Sequence, residues 1–254
     1  TMERLNNIFS GKATRNAAGV NTGIQFVLAQ YNPAGELMDE PGINRVTVEE
    51  VTEGTPPDKY HRFLSQNNAI WPHEKDLNIW LMSETKYPKF WNSITKLCVP
   101  KYRLGSETLP GLSLPPVPST WVPKVEQIGI LFRMSTFQYF QRSIDATAER
   151  ELVTCIGNYL GLLDTWKINN SNVNDQCNDT FAYGIVNNNG SLGTNSSWSK
   201  EVGSYRFLSE NIMDDPTGTH RSVSKDQALR MYWVLKNCAG RSMWQSDFAL
   251  TGKE

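Results

Sequence analysis

Apolar and polar side chains alternate along residues 20–32 (VNTGIQFVLAQYN), with Ile24, Phe26 and Leu28 separated by small or polar neighbours. Successive side chains of a strand point to opposite faces, so this period predicts a half-buried strand. After a turn at PAGE (33–36), INRVTVEEV at 43–51 predicts a second. LNIWLM (77–82) is a short apolar run whose length suits a buried strand, and EQIGILFRM (126–134) resumes that character. Between them, 84–123 reads as loop: LPGLSLPPVPSTWVP holds five prolines in fifteen residues, and so many missing backbone donors exclude a helix or a central strand.

The period then lengthens. In DATAERELVTCIGNYLGLLDTW (145–166), Leu152, Ile156, Tyr159 and Leu160 recur at helical spacing. Asp145 is the expected N-cap, Glu149 and Glu151 lie near the positive end of the helix dipole, and Gly161 is expected to end the helix by adopting φ > 0. From 167 to 200 the chain turns rich in Asn, Ser and Gly and reads as a long surface excursion. Its N-x-S/T matches at Asn169, Asn178, Asn189 and Asn195 are read as chance in an Asn-rich stretch. SKDQALRMYWVLKNC (224–238) predicts a second amphipathic helix with Ser224 as N-cap and Leu229, Met231, Tyr232 and Leu235 on or near one face.

Composition narrows the function classes. The 254 residues are 39% hydrophobic and include 8 Trp, 9 Tyr and 10 Phe, enough for a full core, which excludes global disorder. Lys and Arg number 25 against 26 Asp and Glu, so neither a nucleic-acid surface nor a polybasic membrane anchor is expected as the main activity. No apolar run reaches the length of a membrane span. The sequence opens at TMERLNN without a charged-then-apolar leader, and the expectation is that any signal peptide has been removed. The four cysteines, Cys98, Cys155, Cys177 and Cys238, allow three pairings and form no C-x-x-C, so a zinc ribbon or thioredoxin-type site has no support. Three histidines, His61, His73 and His220, are too few for a His-rich metal centre. HEKDL at 73–77 begins like H-E-x-x-H, but Leu77 stands at the second His and Pro72 precedes it, so His73 is expected at the surface.

LVTCIGNYLGLLDTW (152–166) resembles the zinc helix of the metzincin metallopeptidases, especially their pappalysin-like branch, where the motif is H-E-x-x-H-x-x-G-x-x-H. In that motif two His at i and i+4 grip zinc, the Glu is general base for a zinc-bound water, and the Gly turns the chain so that a third ligand reaches the metal. Gly157, Tyr159, Leu160, Gly161 and Leu162 stay close to the pattern, but Thr154 and Asn158 stand at the two His, Cys155 at the Glu and Asp164 at the third ligand. SENIMDDPTGTHRSVSKDQALRM (209–231) is similar to the family's Met-turn and last helix, with Met213 as the Met-turn residue and Ser224, Gln227, Arg230 and Met231 as the helix phrase. DQCNDT (175–180) is similar to the loop that follows the zinc helix in pappalysin-like enzymes, and the strands upstream resemble those that open such domains.

The resemblance implies an α+β zincin-like fold, with a twisted mixed β-sheet packed on helices, a central motif helix, a Met-turn and a C-terminal helix. It spans a single domain, 1–254, with an upper sheet-and-helix part at about 20–165 and a loop-rich lower part at 166–254. One good ligand in three predicts weak zinc binding, and without a carboxylate at 155 no base activates water, so no conventional peptidase chemistry is expected. No cofactor is expected. The alternatives are weakly held zinc, or a structural calcium on Asp175, Asp179, Asp214 and Asp215, acidic oxygen donors of the type calcium takes. An alternative catalytic set is Cys155 as nucleophile with His220, although a Cys in mid-helix is first a small buried hydrophobe.

The expected function is an inactive peptidase-like protein whose cleft, floored by Thr154, Cys155, Asn158, Gly161, Asp164 and Met213, binds a peptide or glycoprotein segment as an added strand. The other readings are an active secreted hydrolase with a non-standard catalytic set, and a structural or adhesive module whose Asn-rich loop makes the contacts. The resemblance also implies an extracytoplasmic bacterial protein, whether secreted, periplasmic or a surface lipoprotein anchored upstream. A Cys177–Cys238 bridge would suit that compartment.

Overall fold

The structure is a computed structural model that describes residues 2–46, 64, 68–82, 128–134, 147–168, 173–185, 199–202, 204–216, 218–237 and 240–253. Its first element is a helix that the sequence reading left out, α1 (Met2–Phe9). Leu5, Ile8 and Phe9 fall on one side at i, i+3 and i+4 and are buried. A helix this short has little stability of its own, so packing and side-chain clamps hold it. The Thr22 N–H and hydroxyl both donate to the Phe9 carbonyl at its end, at 2.9 and 2.8 Å. Asn6 brackets Phe26, accepting from its N–H at 2.8 Å and donating to its carbonyl at 2.9 Å.

Among the described residues, the strand expected over 20–32 forms no ladder. Its alternation is real, because Thr22, Ile24 and Phe26 turn inward while Gly23, Gln25 and Val27 are exposed, but Leu28 is exposed as well. The backbone is satisfied elsewhere: Val20 N–H donates to the Val223 carbonyl and Gln30 N–H to that of Ala249. A period of two reports which side faces the core, and a run of loop clamped on both sides satisfies it equally well. Residues 43–46 of the second expected strand lie in no ladder. The rest of that strand and the proline-rich 84–123 stretch fall outside the described residues.

The two apolar runs do pair. β1 (Ile79–Met82) and β2 (Ile130–Arg133) lie parallel with Ile79 opposite Ile130. Ile130, Leu131 and Phe132 are all buried, as befits a strand covered on both faces. Helix α2 (Thr147–Tyr159) packs on β2 and sends Leu152, Val153, Ile156 and Tyr159 into the main core with Phe9, Phe132, Met213 and Met231. Asp145, its expected cap, lies outside the described residues.

The 167–200 stretch is more ordered than its composition suggests. β3 (Trp166–Ile168) and β4 (Tyr183–Ile185) form a parallel pair across it, and β5 (Ser199–Val202) begins an antiparallel hairpin with β6 (Tyr205–Leu208). Tyr183 and Lys200 are buried. Among the described residues the strands therefore make three two-stranded pairs, and the expected single mixed sheet is not seen as one sheet. The closing helix α3 (Lys225–Asn237) starts at the expected residue. Ser224 N–H donates to Gln227 Oε1 at 3.0 Å and Gln227 N–H to Ser224 Oγ at 3.3 Å, a reciprocal capping box that stabilises the helix by about 1 kcal/mol. Its core face carries Ala228, Met231, Val234 and Leu235, whereas Leu229 and Tyr232, expected with them, are exposed. A 3-10 turn (Ser242–Gln245) and the short α4 (Phe248–Thr251) follow.

Candidate functional site

The end of α2 is set by local chemistry. Gly161 has φ 93°, its N–H donates to Asn158 O at 2.9 Å, and Leu162 N–H donates to Gly157 O at 2.9 Å. These two bonds are a Schellman turn, which needs a residue without Cβ strain at the left-handed position. The turn folds the chain back so that Asp164 comes up beside the helix. Asn158 Nδ2 lies 3.5 Å from both Leu162 O and Asp164 Oδ1, the long limit of a hydrogen bond. Asp164 keeps contact with solvent, but the surrounding protein pushes its carboxyl up to about 6, with Lys167 opposing. Thr154, one turn earlier on the same face, donates from Oγ1 to Ile212 O at 2.8 Å. Cys155 is an unbridged thiol buried in the main core.

Beneath α2 runs the turn 211–215. Ile212 and Met213 are fully buried, and a Cβ placed on Gly157 would stand 2.6 Å from Met213 Sδ, so Gly157 is the gap into which the methionine fits. Asn211 and Gln227 exchange two amide hydrogen bonds at 2.9 Å, while Met213 N–H donates to Asn211 Oδ1 at 2.9 Å. The capping box of α3 and the turn thus share one glutamine.

Two acids follow. Asp214 accepts from Thr165 Oγ1 at 2.9 Å and from Asn211 N–H at 3.2 Å, and burial raises its carboxyl against the pull of the Ser209 side chain, of Lys200 and of Thr165. Asp215 Oδ2 accepts from Lys200 Nζ and from Tyr183 OH, each at 2.7 Å, with the Lys200 and Asp215 side chains wholly out of solvent. His220, at φ 52°, has Nε2 2.9 Å from Asp214 O. A carbonyl only accepts, so Nε2 carries the proton there.

The residues considered for calcium fall into two places. Asp214 and Asp215 belong to the turn under α2. Asp179 receives Ser224 Oγ at 2.6 Å and Asp226 N–H at 2.9 Å, placing its charge at the start of α3 where the dipole favours it. Asp175 accepts from Thr180 Oγ1 at 2.6 Å and Cys177 N–H at 3.3 Å. Among the described residues no group of three or more His, Cys, Asp or Glu is gathered to hold a metal ion.

Cys177 is an unbridged thiol, pushed up by burial and by Asp175. It sits by the first turn of α3, where Asn178 N–H donates to Asp226 at 3.1 Å. The bridge to Cys238 that would suit an extracytoplasmic protein is therefore not made by Cys177. Cys238 itself, like Cys98, lies outside the described residues. The expected surface histidine, His73, has only 15% of its side chain exposed and stands 3.2 Å from Glu74. The sequence reading passed over Lys200, Tyr183 and Thr165. The one signal for Lys200 is the pair of short alternating runs SKEV and YRFL, which marks a hairpin but not which lysine it buries.

Solved structures supply a comparison. The chain is similar to mirolysin, a metallopeptidase, in complex with compound 9, with TM-score 0.64, 17% identity, and 100% of this chain and 89% of that chain covered. It is similar too to Tannerella forsythia mature mirolysin in complex with a cleaved peptide, with TM-score 0.60, 19% identity and the same coverage. This chain has a metallopeptidase-like fold. No family model matches it, and no curated protein sequence does.

A fold of that kind raises the question of zinc, and the donor set answers it. Structural and catalytic zinc sites use at least three thiolate, imidazole or carboxylate ligands. At the positions that the resemblance assigns to ligands stand a hydroxyl already donating to Ile212 O, a neutral amide, and the carboxylate of Asp164. The set does not fit zinc.

Proposed function

We propose that this protein is a metzincin-like pseudopeptidase of the pappalysin-like type. Its cleft, between α2 and the Gly161–Asp164 return above the Met213 turn, binds a peptide or glycoprotein segment without cleaving it. One observation carries the reading. In a chain similar to mirolysin over its whole length, Thr154 is bonded to the turn and Cys155 is packed in the core, so neither motif position is left for a ligand or a base. A segment bound there adds as a strand through main-chain hydrogen bonds, which require neither metal nor base. Asn158 and Asp164 offer an amide and a carboxylate at the edge of the cleft. The compartment that suits such a protein is extracytoplasmic, secreted or lipid-anchored, and no described helix is long and apolar enough to cross a membrane.

The test is a mixed library of unstructured peptides incubated with the protein, with bound peptides and newly formed termini both read by mass spectrometry. Retention of a subset, weakened by Asp164→Ala and unaccompanied by new termini, is expected. New termini that vanish in Cys155→Ser would overturn the reading in favour of the Cys155–His220 set. New termini that vanish with chelator would overturn it in favour of a metallopeptidase.

A further inference from the structure

A zincin joins its motif helix, the chain after the glycine and the metal by coordination, and the donor set here cannot do so. The motif helix and the chain after the glycine are nevertheless each tied to the 211–215 turn, by bonds of the protein alone. Thr154 Oγ1 runs from α2 to Ile212 O at 2.8 Å, and the Ile212 N–H in turn donates to Ser222 O at 2.9 Å. Thr165, just past Asp164, donates from N–H to Met213 O at 3.1 Å, and its hydroxyl is shared between that carbonyl at 3.1 Å and Asp214 at 2.9 Å. Arg230 Nε, from α3, donates to Gly161 O at 2.7 Å and fixes the Schellman turn from the far side. Thr154 is the only one of these donors that stands at a position the resemblance gives to a metal ligand.

We infer that Thr154 is a positioning residue: its hydrogen bond to Ile212 O locks α2 onto the 211–215 turn and takes the structural place of a metal. The cleft is then preformed without any ion. This rests on the reading of the cleft as metal-free, and it does not depend on whether the cleft binds a peptide.

The experiment is native-state hydrogen exchange on the full chain, with and without EDTA, for wild type, Thr154→Val and Thr154→Ser. Valine keeps the branched shape and removes the donor, whereas serine keeps the donor. In Thr154→Val the amides of Ile212, Met213 and Thr165 should exchange about tenfold faster, the equivalent of roughly 1.4 kcal/mol for a lost hydrogen bond, while β1 and β2 stay protected. Thr154→Ser should restore the wild-type rates, and EDTA should change none of them. Unaltered exchange at these amides in Thr154→Val, or faster exchange of the wild type in EDTA, would overturn the inference. If Thr154→Val opens the whole chain uniformly, the bond is a general stabiliser and not a local lock, which overturns it too. Failure of every peptide to bind would sink the functional reading and leave this result standing.

Discussion

Replacing Lys200 with methionine should cost about 3–5 kcal/mol and leave little folded protein at 37 °C. Lys200 and Asp215 form an ion pair at 2.7 Å with both side chains fully excluded from water. Methionine fills the same volume and removes the cation, so Asp215 is left as a buried charge with Tyr183 OH as one of its remaining donors. The damage would spread because Asp215 belongs to the turn that carries Met213 under α2, and Lys200 ties β5 to that turn. Urea melts of Lys200→Met, Asp215→Asn and the double variant make the check. Desolvation, not the pair's attraction, dominates the loss, so the double variant should be more stable than Lys200→Met alone. A Lys200→Met protein within about 1 kcal/mol of wild type would show that the charge is not buried in solution.

Gly157→Ala is the second large effect, and its sign runs against helix propensity. In an exposed helix interior the change would stabilise by about 1 kcal/mol. Here the new Cβ would stand 2.6 Å from Met213 Sδ and 3.3 Å from Ile212 Cδ1, two side chains with no exposed surface into which to retreat. Overpacking of that kind costs about 1–3 kcal/mol, and the expected outcome is a lower melting temperature with the turn pushed away from α2. Met213→Ala alone should cost about 2–5 kcal/mol through the cavity it leaves. The two changes together should cost less than their sum, since the added methyl occupies part of the space the methionine vacates. Strict additivity in thermal melts would mean that Gly157 and Met213 do not touch.

How far the sequence disclosed this arrangement depends on where each signal originates. Helices α2 and α3 and strands β1 and β2 were legible because their determinants are local: a 3.6 or a short apolar period, Ser224 with Gln227 three residues on, and Gly161 at a left-handed turn. The 20–32 segment misled because alternation encodes one buried face, while a ladder requires a partner that the segment itself does not specify. β3, β4 and the start of β5 hid in or at the edges of an Asn-, Ser- and Gly-rich stretch. Two of their side chains, Tyr183 and Lys200, are bonded to Asp215, more than ten residues away in sequence, and a local pattern does not disclose such a partner. At the site the motif positions and the methionine were visible as letters. What could not be read was the commitment of Thr154 to a backbone carbonyl 58 residues later.

Zinc stoichiometry tests the central claim most directly. The full chain, purified without chelator, incubated with excess zinc and dialysed, would be analysed for metal by elemental analysis beside an Asp164→Ala control. The account predicts zinc far below one equivalent in both proteins. One equivalent in the wild type, lost in Asp164→Ala, would contradict it and make the cleft a metal centre.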